Sequence, residues 1–232
     1  MAFPDWAQIH FYILQLEQEG LVTRTFRRLD PERQQAIILA ILDEAAEKGP
    51  SALNIKQVAR RAGVSVGSLY TYFPHREGML AFAVELCVRF VSDTFEQARP
   101  YLAELPLREA LTAYLSGGVE WSRTYAGLLR LLARAAYHGD SELAESLVRP
   151  MATEFRQAIH AMLAHAAERG EVRPDVDLEA TAHILHALTV VVGDSQLLPY
   201  LNDYFQIVDE DIRPERALEA LLTLVLRGIG AE

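Results

Sequence analysis

Between Ile55 and Arg76 the chain reads IKQVARRAGVSVGSLYTYFPHR. It gathers Lys56, Ser65, Ser68, Tyr70, Thr71, Tyr72, His75 and Arg76 within about six helical turns' worth of residues. No nucleophile is paired there with a base, and no glycine loop is built to cradle a nucleotide. What these side chains share is the ability to give hydrogen bonds to oxyanions. Hydroxyls and cations arranged along one short stretch suit a chain of phosphates, with base edges within reach of the smaller groups.

Such groups need a support, and the same stretch supplies one. Two short helices, Ile55–Ala62 and Val66–Tyr72, are separated by Gly63. A steep helix crossing needs a small residue where the axes meet, a turn residue tolerant of positive φ, and apolar residues that pin the second helix. Ala59, Gly63 and the set Ile55, Val58, Ala62, Val64 and Leu69 meet these needs in that order. Ser65 is placed to cap the second helix. The outward side is then expected to carry Val66, Gly67, Ser68, Tyr70, Thr71 and Tyr72, the face a major groove would meet. Gly67 permits a close approach, and Val66 can touch a thymine methyl group. Arg76 opens the next helix, where free amides and the dipole favour an anion, and it is expected to clamp a phosphate.

Residues 31–80 resemble the DNA-binding domain of the TetR (tetracycline-repressor-like) family. The resemblance is carried by the helix-turn-helix, the run Leu69-Tyr70-Thr71-Tyr72-Phe73 and the basic Arg76 before a long connecting helix. It implies a homodimeric transcriptional regulator with a C-terminal domain that binds a small molecule and dimerises. Two features depart from the family pattern. Val66 stands where many relatives carry a basic or amide side chain, and about 20 residues precede Arg24 where a short arm is usual. Arg24, Arg27 and Arg28 either enter a minor groove or touch the backbone, or are solvated charge beside an anchor made by Phe26 and Leu29.

Bulk properties fit this division. The chain has 232 residues, a formal net charge of -10 and 50% hydrophobic residues, enough for a sizeable core. From Arg24 to Leu80, nine Lys and Arg face six Asp and Glu, so this segment is positive while the remainder is strongly acidic. A polyanion would meet only the first part. The apolar run near Ile184–Gly193 is too short to span a bilayer. The start lacks a cationic, cleavable signal, and Cys87 is the single cysteine, so a cytoplasmic protein without membrane association is expected.

Helical periodicity throughout predicts an all-α chain. The expected division is an N-terminal extension helix in 1–23, a helix-turn-helix three-helix domain in 24–80, and a helical ligand-binding and dimerisation domain in 81–232. The extension, read over Pro4–Glu19, has Trp6, Ile9, Ile13 and Leu16 on one stripe. Asp30-Pro31-Glu32 starts a helix that runs to about Lys48. A long helix is expected over Arg76–Arg99, then a loop bracketed by Pro100 and Pro106. Further helices are expected near Leu107–Ser116, Val119–Tyr137, Ser141–Arg169, Leu178–Leu198 and Pro214–Ile229.

In the C-terminal part, Trp121, Tyr125, Tyr137, His138 and Phe155 combine apolar rings with polar tips and are the candidate site for a hydrophobic or aromatic effector. The stripes Ile184, Leu188, Val191 and Leu218, Leu222, Val225 suit either internal core or a four-helix dimer interface, for which the family resemblance speaks. His183 and His186 share a helical face, with His160 and His165 on a neighbouring helix. No third ligand is tied to them by spacing, so neither a metal nor another cofactor is assigned. The expected function is a dimeric DNA-binding regulator, a repressor released by ligand from a palindromic double-stranded operator. The alternative is a DNA-binding protein that takes no ligand and acts through a protein partner. No enzymatic signature is found.

Overall fold

The structure, a computed structural model, describes residues 6–231, with the Arg76 side chain also outside the description. Pro4 and Asp5, where the extension helix was expected to begin, fall outside it too. Among the described residues the elements are helical, apart from an isolated bridge between Val172 and Gly230. No helix of the described residues is long and apolar enough to cross a membrane.

Two compact units form. One comprises the chain up to Ser92 together with Gly127–Pro150; the other comprises Asp93–Ala126 and the residues from Met151 onward. The first unit opens with α1 (Trp6–Gln18) and the short α2 (Arg24–Arg27), followed by α3 (Pro31–Lys48). α3 begins as its sequence demands, with the Asp30 carboxylate accepting from the Arg33 amide at 2.9 Å and Pro31 in the first turn. α4 (Ile55–Ala62) and α5 (Val66–Tyr72) follow, then the start of α6 (Arg76–Glu104). α8 (Ala126–His138) and the single turn α9 (Ser141–Leu143) complete this unit, with a π-helical turn over 144–148.

α1 lies on its own unit. Ile9, Tyr12, Ile13 and Leu16 are buried, Glu17 pairs with Arg27 of α2, and Arg89 of α6 reaches Glu19 at 2.8 Å and Gln15 at 3.2 Å. The aromatic centre of the unit is Phe26, whose ring lies 5.4 Å from Phe73 and 5.2 Å from Phe82. The anchor expected at Phe26 is therefore present, while Arg24 and Arg28 remain exposed beside it.

The second unit holds the end of α6, α7 (Leu107–Thr124), most of α10 (Arg149–Glu168), α11 (Leu178–Leu197), α12 (Pro199–Phe205) and α13 (Pro214–Ile229). Its core interdigitates Leu111 and Leu115 of α7, Ile159 and Leu163 of α10, Leu185 and Val192 of α11, and Leu218, Leu221 and Leu222 of α13.

Two boundaries differ from the sequence expectation. α6 continues through the exposed Pro100 to Glu104, where Arg169 gives hydrogen bonds to the carbonyls of Ala103 and Leu105 at 2.9 and 2.6 Å. That guanidinium satisfies the free carbonyls of the helix end, so the helix stops there rather than at the proline. The break expected at Gly117-Gly118 falls instead at Tyr125. Just beyond it, Gly127 lies close against α3, where a Cβ would come within 2.7 Å of Asp43 Oδ1. α12 was not anticipated.

Candidate nucleic-acid interface and effector region

The α4–α5 turn is held by backbone geometry that only a few residue types provide. Gly63 takes φ +67°, the left-handed region that glycine enters without cost, and the Val64 amide closes on the Ala59 carbonyl at 3.0 Å. Ser65 Oγ accepts from the Ser68 amide at 3.0 Å and shares a hydrogen bond with Ser68 Oγ at 2.8 Å. Val58, Ala59 and Leu69 are buried between the two helices, while Ile55, Ala62 and Val64 are half-buried.

The outward face of α5 carries Gly67, Tyr70 and Thr71, all exposed, with Val66 and Ser68 half-buried beside them. Tyr70 keeps 58% of its surface open, a large aromatic left uncovered by the rest of the chain. Lys56, Ser65, His75 and Arg28 are exposed as well. Thr71 Oγ1 donates to the Gly67 carbonyl at 3.1 Å, so in this state its hydroxyl faces a partner with lone pairs rather than its proton. Arg76 begins α6, and its side chain lies outside the described residues.

Tyr72 corrects the expectation of an outward hydroxyl. It is only 8% exposed, with its ring edge-on to Phe26 at 5.9 Å. The physical reason lies far away in sequence, where α2 brings Phe26 against this side of α5. Thr23 extends the same contact: its amide donates to the Tyr72 carbonyl at 2.9 Å and its hydroxyl to the Thr71 carbonyl at 2.8 Å. The segment before α3 thus caps the C-terminal end of α5.

Electrostatics tie α3 to α4 and α8. Arg61 pairs with Glu47 at 2.5 Å and with the buried Glu44 at 3.4 Å. Its hydrogen bond from Arg61, opposed by slight burial, holds the Glu47 carboxyl below its usual range. Burial pushes the neighbouring Asp43 up despite the positive fields of Arg130 and Arg61. Arg134 of α8 donates to the Ala46 and Glu47 carbonyls at the end of α3. Cys87, fully enclosed, has its thiol pushed up to about 12 by burial and is inert as a nucleophile at neutral pH.

The candidate effector residues divide. Trp121 and Tyr125 stand with ring centres 4.9 Å apart, and Phe155 lies 6.3 Å from Trp121. Phe95 adds a ring 5.1 Å from Phe155, and Tyr114 one 6.4 Å from Phe95. Tyr137 and His138 belong to the other compact unit, at the exposed end of α8.

The apolar stripes divide too. Ile184 is 61% exposed and Leu188 is exposed beside it, with Val191 half-buried. Leu218 and Leu222, read as either core or interface, are part of the second unit's own core, and Val225 packs partly against it. The open side of α13 is carried by Leu224, 68% exposed, in a shallow depression lined by Arg216, Glu219, Ala220, Thr223 and Arg227. Among the described residues, no group of three or more His, Cys, Asp and Glu is placed to hold a metal.

Two family models match the chain. Residues 37–82 match "Bacterial regulatory proteins, tetR family" and residues 105–192 match "Tetracyclin repressor-like, C-terminal domain", together more than half of the 232 residues. The chain belongs to the TetR family of transcriptional regulators. Among its TetR-family relatives is the HTH-type transcriptional repressor KstR2 of Rhodococcus jostii, 26% identical over 60% of this chain and 68% of that protein. The HTH-type transcriptional regulator BetI of Yersinia pestis is 28% identical over 44% of this chain, and the match spans about half, 52%, of BetI. The solved ketosteroid transcriptional regulator KstR2 of Mycobacterium tuberculosis shares the fold with a TM-score of 0.62 at 20% identity, over 88% of this chain and 98% of that one. These relatives are transcriptional regulators rather than enzymes.

Within this TetR-family chain, sequence reasoning missed Thr23 and Leu224. Thr23 could have been found from its position as the cap of a short helix before Phe26. For Leu224 the sequence holds no signal, because α13 is apolar on more than one side.

Proposed function

We propose that the protein is a homodimeric repressor that reads a two-fold operator through α5 and is released by an uncharged hydrophobic or aromatic small molecule. In this reading residues 24–80 make the DNA contacts, 81–232 supply the effector and dimer surfaces, and the protein works in the cytoplasm. The observation that carries it is the capped α4–α5 turn, which leaves Tyr70, Thr71 and Gly67 uncovered in a positively charged stretch of an acidic chain. Lys56, Ser65, Val66, Ser68, His75, Arg28 and Arg76 extend this contact; Tyr72 supports it from beneath.

Ile184, Leu188, Val191, Leu224 and Val225 would form the contact between copies, two helices from each. A two-fold pair places its reading helices about 34 Å apart or a multiple of this, so a small change of spacing removes many contacts together. Trp121, Tyr125 and Phe155 would face the effector, whose binding shifts that spacing by differential affinity for the two states. The relative named as a ketosteroid regulator supports an apolar, ring-bearing class of effector.

Selection of bound fragments from a genomic library, with sedimentation of the protein alone, tests the reading. Enriched palindromic sites and a dimer that Ile184→Glu with Leu224→Glu reduces to monomers are expected. A monomeric wild type, or enrichment of no sequence, would refute it.

A further inference from the structure

Some of the polar groups buried among the rings of the second unit satisfy one another. The Tyr114 hydroxyl is hydrogen-bonded to Thr189, and Thr189 Oγ1 donates to the His186 carbonyl at 2.8 Å. The His186 ring is not satisfied in this way. Its Nδ1 is buried and has no hydrogen-bond partner among the described residues, while its ring stands 6.2 Å from Phe155 at an interplanar angle of 38°.

A buried polar atom without a partner costs free energy that folding has not recovered, and in native proteins such atoms gather where a ligand or water completes them. The surroundings of His186 define what could do so. Phe155 joins it to Trp121 and Phe95, and these rings are half-buried rather than sealed in the core. Burial, with the positive fields of Arg156 and His183, holds the imidazole below its ordinary value, so it is uncharged at neutral pH. Arg156 offers no spare charge for an anion, because Glu179 pairs with it at 2.7 Å, and Glu179 also accepts from His183 Nε2 at 3.1 Å. A neutral imidazole nitrogen matches an oxygen that accepts or donates one hydrogen bond.

We infer that His186 is the polar anchor of the effector site: its Nδ1 takes the hydroxyl or carbonyl oxygen of an uncharged, ring-bearing molecule whose apolar body lies against Phe155 and Trp121. The inference rests on the effector reading proposed above and names the residue that sets specificity within it.

Binding of 2-naphthol and of naphthalene, followed by calorimetry, separates the two ideas. Wild type and His186→Asn, whose amide keeps a polar atom near the position of Nδ1, should favour 2-naphthol by on the order of tenfold. His186→Leu should bind naphthalene at least as well as wild type and lose that preference. If naphthalene binds but the preference is absent in wild type or persists in His186→Leu, the anchor assignment is overturned and the effector site stands. If neither probe binds any variant, the effector site itself is refuted and the anchor with it.

Discussion

Replacing Arg61 with methionine should destabilise the first unit far more than the partly exposed position of that residue suggests. The guanidinium makes two contacts of unequal value. Glu47 is about half exposed, at 51%, and its paired hydrogen bonds at 2.9 and 2.5 Å are worth about 0.5 kcal/mol after solvent screening. Glu44 is 1% exposed, neither of its oxygens has a hydrogen-bond partner among the described residues, and Arg61 Nη2 stands 3.4 Å away. Removing that cation strands a buried carboxylate. Breaking such a pair costs ~3–5 kcal/mol, and the long separation together with the 29% exposure of Arg61 reduces the figure to about 2–3 kcal/mol. Replacing both residues by methionine should return the unit to within ~1 kcal/mol of wild type, since an apolar pair leaves no charge uncompensated. Denaturant unfolding in a Trp121→Phe background follows the first unit alone, because Trp6 is then the only tryptophan. A loss for Arg61→Met no greater than that of the Glu47 pair, or no recovery in the double variant, would refute the reasoning.

Neighbouring tyrosines should separate function from stability. Tyr70→Ala should change stability by no more than ~0.5 kcal/mol and weaken operator binding in a gel-shift titration, whereas Tyr72→Ala should cost about 3 kcal/mol in denaturant because its ring is packed on Phe26. Glu171 should make the second unit acid-sensitive: although burial opposes ionisation, the bonds from Arg169 and from the Leu107 amide hold its carboxyl below the ordinary 4.5. A carboxyl depressed by folding contributes stability that is complete above its unfolded value and is lost as pH falls through the folded one. Melting temperatures between about pH 3 and 6 should therefore fall less steeply for Glu171→Gln than for wild type.

The reading module was legible because its requirements are local. Ala59, Gly63 and Ser65 each answer a need set by residues two to six positions away, and the structure uses each in the expected way. Tyr72 was not legible, since only Phe26, far off along the chain, determines which side of a seven-residue helix is covered. Paired glycines at 117 and 118 imitate a helix break, but α7 runs through them to Thr124 and the break falls at Tyr125. Periodicity likewise found the apolar stripes of α11 and α13 without telling which side each helix spends on its own core. Leu218 and Leu222 went inward and Leu224 outward for that reason. His186 stood out in the sequence only as one histidine three residues from another; its missing partner exists only in three dimensions.

The most direct test is chemical footprinting of the protein on a fragment selected from genomic DNA, run with wild type and with Tyr70→Ala. Two protected half-sites related by a two-fold axis, centred about 34 Å apart or a multiple of this, and faded together in the variant, are predicted. A single patch, protection without symmetry, or a footprint indifferent to Tyr70 would contradict the account.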